Sequence, residues 1–165
     1  MKADFTPAEI DARRSDIVAK ASGQRVKTFV CDAWTFEYSL AVSGLAEEVW
    51  ISAHLAKADE RIHSGKTRVF AEVRKAVKSF REMESRGLPD DEFSVHVYAH
   101  FVTGTKASKA IAAQYLAQIL EWELKRGKLT PAELRDRLPA YLVEAIEYVC
   151  PVPVASATQP AAAVP

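Results

Sequence analysis

Histidine and aromatic side chains carry most of the chemical potential of this chain. His96 and His100 stand four apart with Tyr98 between them, and Trp50 and His54 share the same spacing earlier. On a helix, an i, i+4 histidine pair can share a metal ion. On a strand it cannot, because at ~3.3 Å per residue the two sites lie about 13 Å apart, and zinc needs each ligand within about 2 Å. The residues around His96 alternate apolar and polar, so the strand reading applies and no metal or other cofactor is expected. Glu37 with His96 or His100 would make an acid–base pair. No nucleophile or oxyanion-stabilising group accompanies it, so no catalytic residue is assigned.

Two glycine loops offer anion chemistry instead. Ser64-Gly65-Lys66-Thr67-Arg68 and Thr103-Gly104-Thr105-Lys106 each precede a helical pattern, whose first backbone N–H groups can receive a phosphate. The Gly-Lys-Thr triplet is not a P-loop, since Glu60 occupies the place of the required first glycine. If the flanking strands ran parallel with the intervening helix as a right-handed crossover, both loops would open near one region of the sheet. Lys66, Arg68, Gly104, Thr105, Lys106 and Lys109 would then form an anion-binding set. Arg74, Lys78 and Arg81 fall at i, i+4 and i+7, one ridge on a helix. Such a ridge suits phosphates or an acidic protein partner.

The elements that must hold these residues follow from periodicity. Phe93, Val95, Val97, Ala99 and Phe101 alternate with polar residues, as do Trp34 to Val42 and Val49 to Leu55, so each reads as a strand. Leu45 to Ala58 also admits a helix, and Val26 to Cys31 reads as a short strand. Helices are expected over Pro7 to Ala21, Lys66 to Arg86, Lys106 to Arg126, and Pro131 to Val149 with a break at Pro139. Thr6-Pro7-Ala8-Glu9 and Thr130-Pro131-Ala132-Glu133 are capping boxes, with Phe5–Ile10 and Leu129–Leu134 at staple spacing. The expected order is α-β-β-β-α-β-α-α: a single α+β domain over residues 1–150, with a mainly antiparallel sheet of about four strands. Residues 151–165 read as a disordered Pro/Ala-rich tail. In element order alone, Pro7 to Arg86 resembles double-stranded-RNA-binding domains and the whole chain resembles small α+β secretion chaperones. No motif extends either likeness.

Composition narrows the function classes. Among 165 residues, 22 basic side chains balance 22 acidic ones, so no whole-molecule field favours nucleic acid. No apolar run approaches the ~20 residues of a membrane span. The first residues lack the apolar core of a signal peptide, so a cytoplasmic location is expected. Cys31 and Cys150 are too few and too far apart for a disulfide framework. The leading expectation is a non-catalytic protein-binding module of regulator, inhibitor or chaperone type. It would present Trp50, His54, His96, Tyr98 and His100 on an open sheet face, with Arg74, Lys78 and Arg81 steering a partner, possibly acidic. The alternative is a phosphate- or nucleic-acid-binding protein that uses the glycine loops, and a small enzyme comes third. Oligomeric state is left open.

Overall fold

Alternating sequence does not make strands in this protein. The computed structural model describes residues 6–23, 27–31 and 35–150, and every regular element among them is helical. In chain order these are α1 (Pro7–Ala21), α2 (Phe36–Leu40), α3 (Ala46–His63), α4 (Val69–Glu84), α5 (Asp90–Val102), α6 (Lys109–Lys125), α7 (Pro131–Arg137) and α8 (Ala140–Val149). The expected α+β fold and its four-stranded sheet are therefore incorrect. The likenesses to double-stranded-RNA-binding domains and α+β chaperones, which rested on element order, fall with them.

The cause is burial on more than one side. In α5 the buried residues are Ser94, Val97, Tyr98 and Phe101, a helical spacing, while Phe93, Val95 and Val102 pack partly against other neighbours. Apolar residues all round a helix imitate period two. α3 is the stronger case. Glu48, Val49, Trp50, Ile51, Ser52, Ala53, Leu55, Ala56 and Ala58 are all buried, so no polar face remains to reveal a helix. The helical reading of Leu45 to Ala58 was the right one. In the Trp34 to Val42 stretch, Thr35 caps α2 by accepting the Tyr38 N–H at 3.3 Å. Residues 27–31 carry no regular structure, while Val26 and Trp34 lie outside the described residues.

α3 is the axis of the fold and packs against α4, α5 and α6. Leu45, Val49, Leu55, Ala76, Phe80, Val97 and Ala112 belong to the core around it. Both expected capping boxes form, at Thr6–Glu9 and Thr130–Glu133, and Pro139 separates α7 from α8. Capping defines α1, yet no residue of α1 is buried, and Ile17 and Val18, whose spacing with Ile10 and Ala21 marks an apolar face, are exposed. Phe5 and the 151–165 segment lie outside the described residues.

α2 reaches α3 through a kinked, widened turn, Ala41–Leu45, in which Gly44 has φ 120°. α7 docks on this kink: Ser43 Oγ donates to the Arg137 carbonyl at 2.8 Å, and Arg137 reaches Glu48 at 3.4 Å. A Cβ on Gly44 would stand 3.3 Å from Arg137 Cγ, at a φ that L-residues rarely adopt. Gly44→Ala is thus expected to lower stability by about 1–3 kcal/mol. The midpoint of urea denaturation should fall accordingly, and an unchanged midpoint would contradict this account of the kink.

Candidate functional site

The histidine and aromatic residues converge around the buried Trp50, with His54 and His100 half-buried against it. Trp50 and His54 lie one turn apart on α3, and α5 brings His100 against both. The His100 ring meets Trp50 edge-on at 4.3 Å between centroids, and His54 lies 4.7 Å from His100. Phe80 and Phe93 close the cluster against Trp50. Trp50 Nε1–H donates to Ser79 Oγ at 3.0 Å, so the indole is anchored as well as buried. The Lys57 ammonium donates to His100 Nδ1 at 2.9 Å, while buried His54 Nε2 has no hydrogen-bond partner among the described residues.

An open recognition face is therefore not what these residues form. With no sheet, Trp50, His54 and His100 are internal packing, and His96 projects to solvent from elsewhere on α5. Tyr98 is buried, with Lys109 Nζ 5.6 Å from its ring centroid. Glu37, the expected acid–base partner, accepts from Lys109 at 3.0 Å, and no hydrogen bond or ring contact among the described residues joins it to His96 or His100. Among the described residues, no group of three or more His, Cys, Asp or Glu side chains is placed to hold a metal.

The two glycine loops also stay apart in their interactions. Lys66, Arg68 and Lys106 are exposed, and Gly104 with Thr105 forms an exposed bend after α5. Lys109 is engaged by Glu37, and no hydrogen bond or ion pair among the described residues joins the loops. The parallel crossover that was to bring them together does not exist.

The basic ridge is in place on α4, and it borders a feature that sequence reasoning missed. α4 and α6 both lie on α3, and between them runs a groove of about 680 Å³. Ile51 and Leu55 form its floor. Val69, Phe70, Val73 and Val77 form one wall, and Tyr115, Ile119 and Trp122 the other. The sequence did mark both helices as strongly apolar. Ile111, Tyr115, Leu116, Ile119, Leu120 and Leu124 cover a wide arc of α6, a pattern that implies deep burial, yet Ala112 alone is buried there. That surplus of apolar residues over the neighbours available to cover them was the signal.

No family model, curated protein or solved structure matches this chain. Its chemistry is therefore read from geometry alone.

One end of the groove is lined by three carboxylates, Glu47, Glu48 and Glu123, of which two are held in ion pairs. Glu47 is met by Arg81 at 3.4 Å and Glu48 by Arg137 at 3.4 Å. Burial pushes the Glu48 and Glu123 carboxyls above their ordinary range. The lips differ. Arg74 lies 4.6 Å over the Phe70 ring, Lys128 lies 4.5 Å over Trp122, and Arg126 stands 5.8 Å from the same ring. None of these three cations forms an ion pair among the described residues, although Lys128 acts on Glu123 through space. Lys78 stands only 3.8 Å from Glu82 on an exposed surface, and Arg81 is shared between Glu47 and Glu84.

The interior histidines have a measurable consequence. Burial, then the charge of Lys57, then the nearby His54 lower the His100 pKa from 6.5 to about 3. His54 is lowered by burial and Lys57, partly offset by Glu72 on α4. The folded chain thus binds fewer protons than the unfolded chain between about pH 6.5 and 3, and stability falls as pH drops through that window. His100→Gln is expected to show a shallower loss of melting temperature with acid than the parent. Identical slopes would show that the imidazole is not held neutral.

Proposed function

We propose that this chain is a non-catalytic protein-binding module of regulator, inhibitor or chaperone type, and that it docks part of a partner in the groove between α4 and α6. One observation carries the reading. Two large apolar side chains flank a concave apolar floor and remain uncovered, Phe70 at 66% exposure and Trp122 at 47%. Apolar area of this kind concentrated around a groove marks an interaction site, whereas single exposed apolar residues do not. Aromatic residues beside cations are also the composition of interface centres.

The basic ridge supports the same site. Arg74 stands on the groove lip, and Lys78 and Arg81 continue it along α4, where they favour an acidic partner. A phosphate- or nucleic-acid-binding role has less support, because Lys109 and Arg81 are already paired and the two glycine loops share no contact. No helix among the described residues is long and apolar enough to cross a membrane. Free thiols at Cys31 and Cys150 suit a reducing compartment, and we place the protein in the cytoplasm.

The test is affinity purification from native lysate with the parent chain and with Phe70→Asp and Trp122→Ala variants, each checked for helical circular dichroism. Loss of a central aromatic anchor costs ~2 kcal/mol or more, so partner retention should fall at least about thirtyfold in folded variants. Retention that is indifferent to both substitutions would overturn the groove as the docking site.

A further inference from the structure

We infer that the occupant of the α4–α6 groove is an amphipathic helix of a partner protein, flanked by acidic residues. The inference rests on the docking reading above and names the chemistry of the guest.

The helical form follows from the walls. Ile51, Leu55, Val69, Val73, Val77 and Ile119 offer no hydrogen-bonding group, and the Tyr115 hydroxyl is already donated to Asp59 Oδ1 at 2.9 Å. The Gln118 amide and Trp122 indole N–H are too few to pair a whole extended backbone. An extended peptide laid there would bury backbone N–H and C=O groups without partners, at a cost of kilocalories for each. A helix satisfies those groups internally and brings only side chains to the walls. The shape agrees, since α4 and α6 resting on α3 make three sides of a four-helix arrangement, and a fourth helix completes it by ridge-into-groove packing. The wall from Val69 to Arg81 spans about 18 Å at 1.5 Å per residue, which accommodates about three helical turns. The guest should therefore carry apolar residues at i, i+3 or i+4, and i+7.

The acidic flanks follow from the lips. Arg74 on α4, and Arg126 with Lys128 beyond the end of α6, lie against the two exposed rings without a carboxylate in contact. Of the groove's own carboxylates, Glu47 and Glu48 are engaged by Arg81 and Arg137, and Glu123 lies in the field of Arg137 and Lys128, so each already has a cation beside it. Carboxylates beside the guest's apolar stripe would meet cations on both sides, and a lysine-flanked guest would meet repulsion on both sides.

The experiment titrates the full chain with three labelled synthetic peptides of equal helix content, read by fluorescence anisotropy. One carries the apolar stripe with Glu flanks, one the same stripe with Lys flanks, and one the Glu flanks with a scrambled stripe. Sedimentation of the chain alone is measured alongside. The Glu-flanked peptide should bind at least tenfold tighter than the Lys-flanked one, and its advantage should shrink with added salt. Phe70→Asp should abolish binding, and Arg74→Glu combined with Lys128→Glu should reverse the flank preference. Equal, Phe70-dependent binding of both stripes would overturn the acidic assignment and leave the groove standing. If no peptide binds while the Phe70 and Trp122 variants still lose the lysate partner, the helical guest is wrong and the docking site holds. If those variants keep the partner as well, both readings fail. Phe70-dependent dimerisation of the chain alone would make a second copy the occupant and overturn the inference.

Discussion

The molecule is organised by the burial of α3 on nearly every side. Ser52, Ala53, Ala56 and Ala58 keep its surface low, so α4, α5 and α6 can approach closely around the larger Val49, Ile51 and Leu55. Packed helices sit ~8–10 Å apart, so a single axis can be surrounded by a few neighbours that need not touch one another. The groove is the consequence. Where α4 and α6 part, no other element among the described residues covers the apolar side chains they share with α3. An opening of this kind lies between well-packed elements, so it is preformed, and a guest would not have to order the helices it meets.

The same axis explains how polar groups survive inside. Trp50 donates to Ser79, Lys57 donates to His100, and Glu72 accepts from Lys75 and Thr67 near Arg61. Each pairing ties α3 to α4 or α5, or settles a carboxylate at the edge of that packing. His54 Nε2 is left over. The cost of that unsatisfied nitrogen is tolerable only while the imidazole stays neutral, and this links the pairing of α3 with α5 to proton concentration. Imidazoles held neutral by burial are structural here, and their side-chain types alone gave no sign of it.

Local chemistry was legible in the sequence, and burial was not. Thr6-Pro7 and Thr130-Pro131 started their helices because capping is decided by the nearest few residues. Pro139 broke the last helical stretch for the same reason. α4 and α6 were found from apolar spacing, their ends trimmed by a few residues. The failures at α3 and α5 share one cause: a helix covered on several sides has no polar stripe, and what remains of its pattern can pass for alternation. Ser94, Val97, Tyr98 and Phe101 did carry the helical spacing, but the alternation of Phe93, Val95, Val97, Ala99 and Phe101 with polar neighbours favoured the wrong period. The groove required knowing which apolar residues stay uncovered, and spacing along one helix cannot give that. Phe70 falls on the apolar face of its helix with Val69, Val73, Val77 and Phe80, a spacing that implies a core position, and it faces solvent instead.

The most direct test of this architecture compares the accessibility of two tryptophans in the monomeric chain. Acrylamide quenching of single-tryptophan variants retaining Trp50 or Trp122 would read each site separately. The structure predicts strong protection of Trp50, at 5% exposure, and markedly stronger quenching of Trp122, at 47%. Equal protection of Trp122 would mean that the space between α4 and α6 is closed, and the docking groove would have to be abandoned.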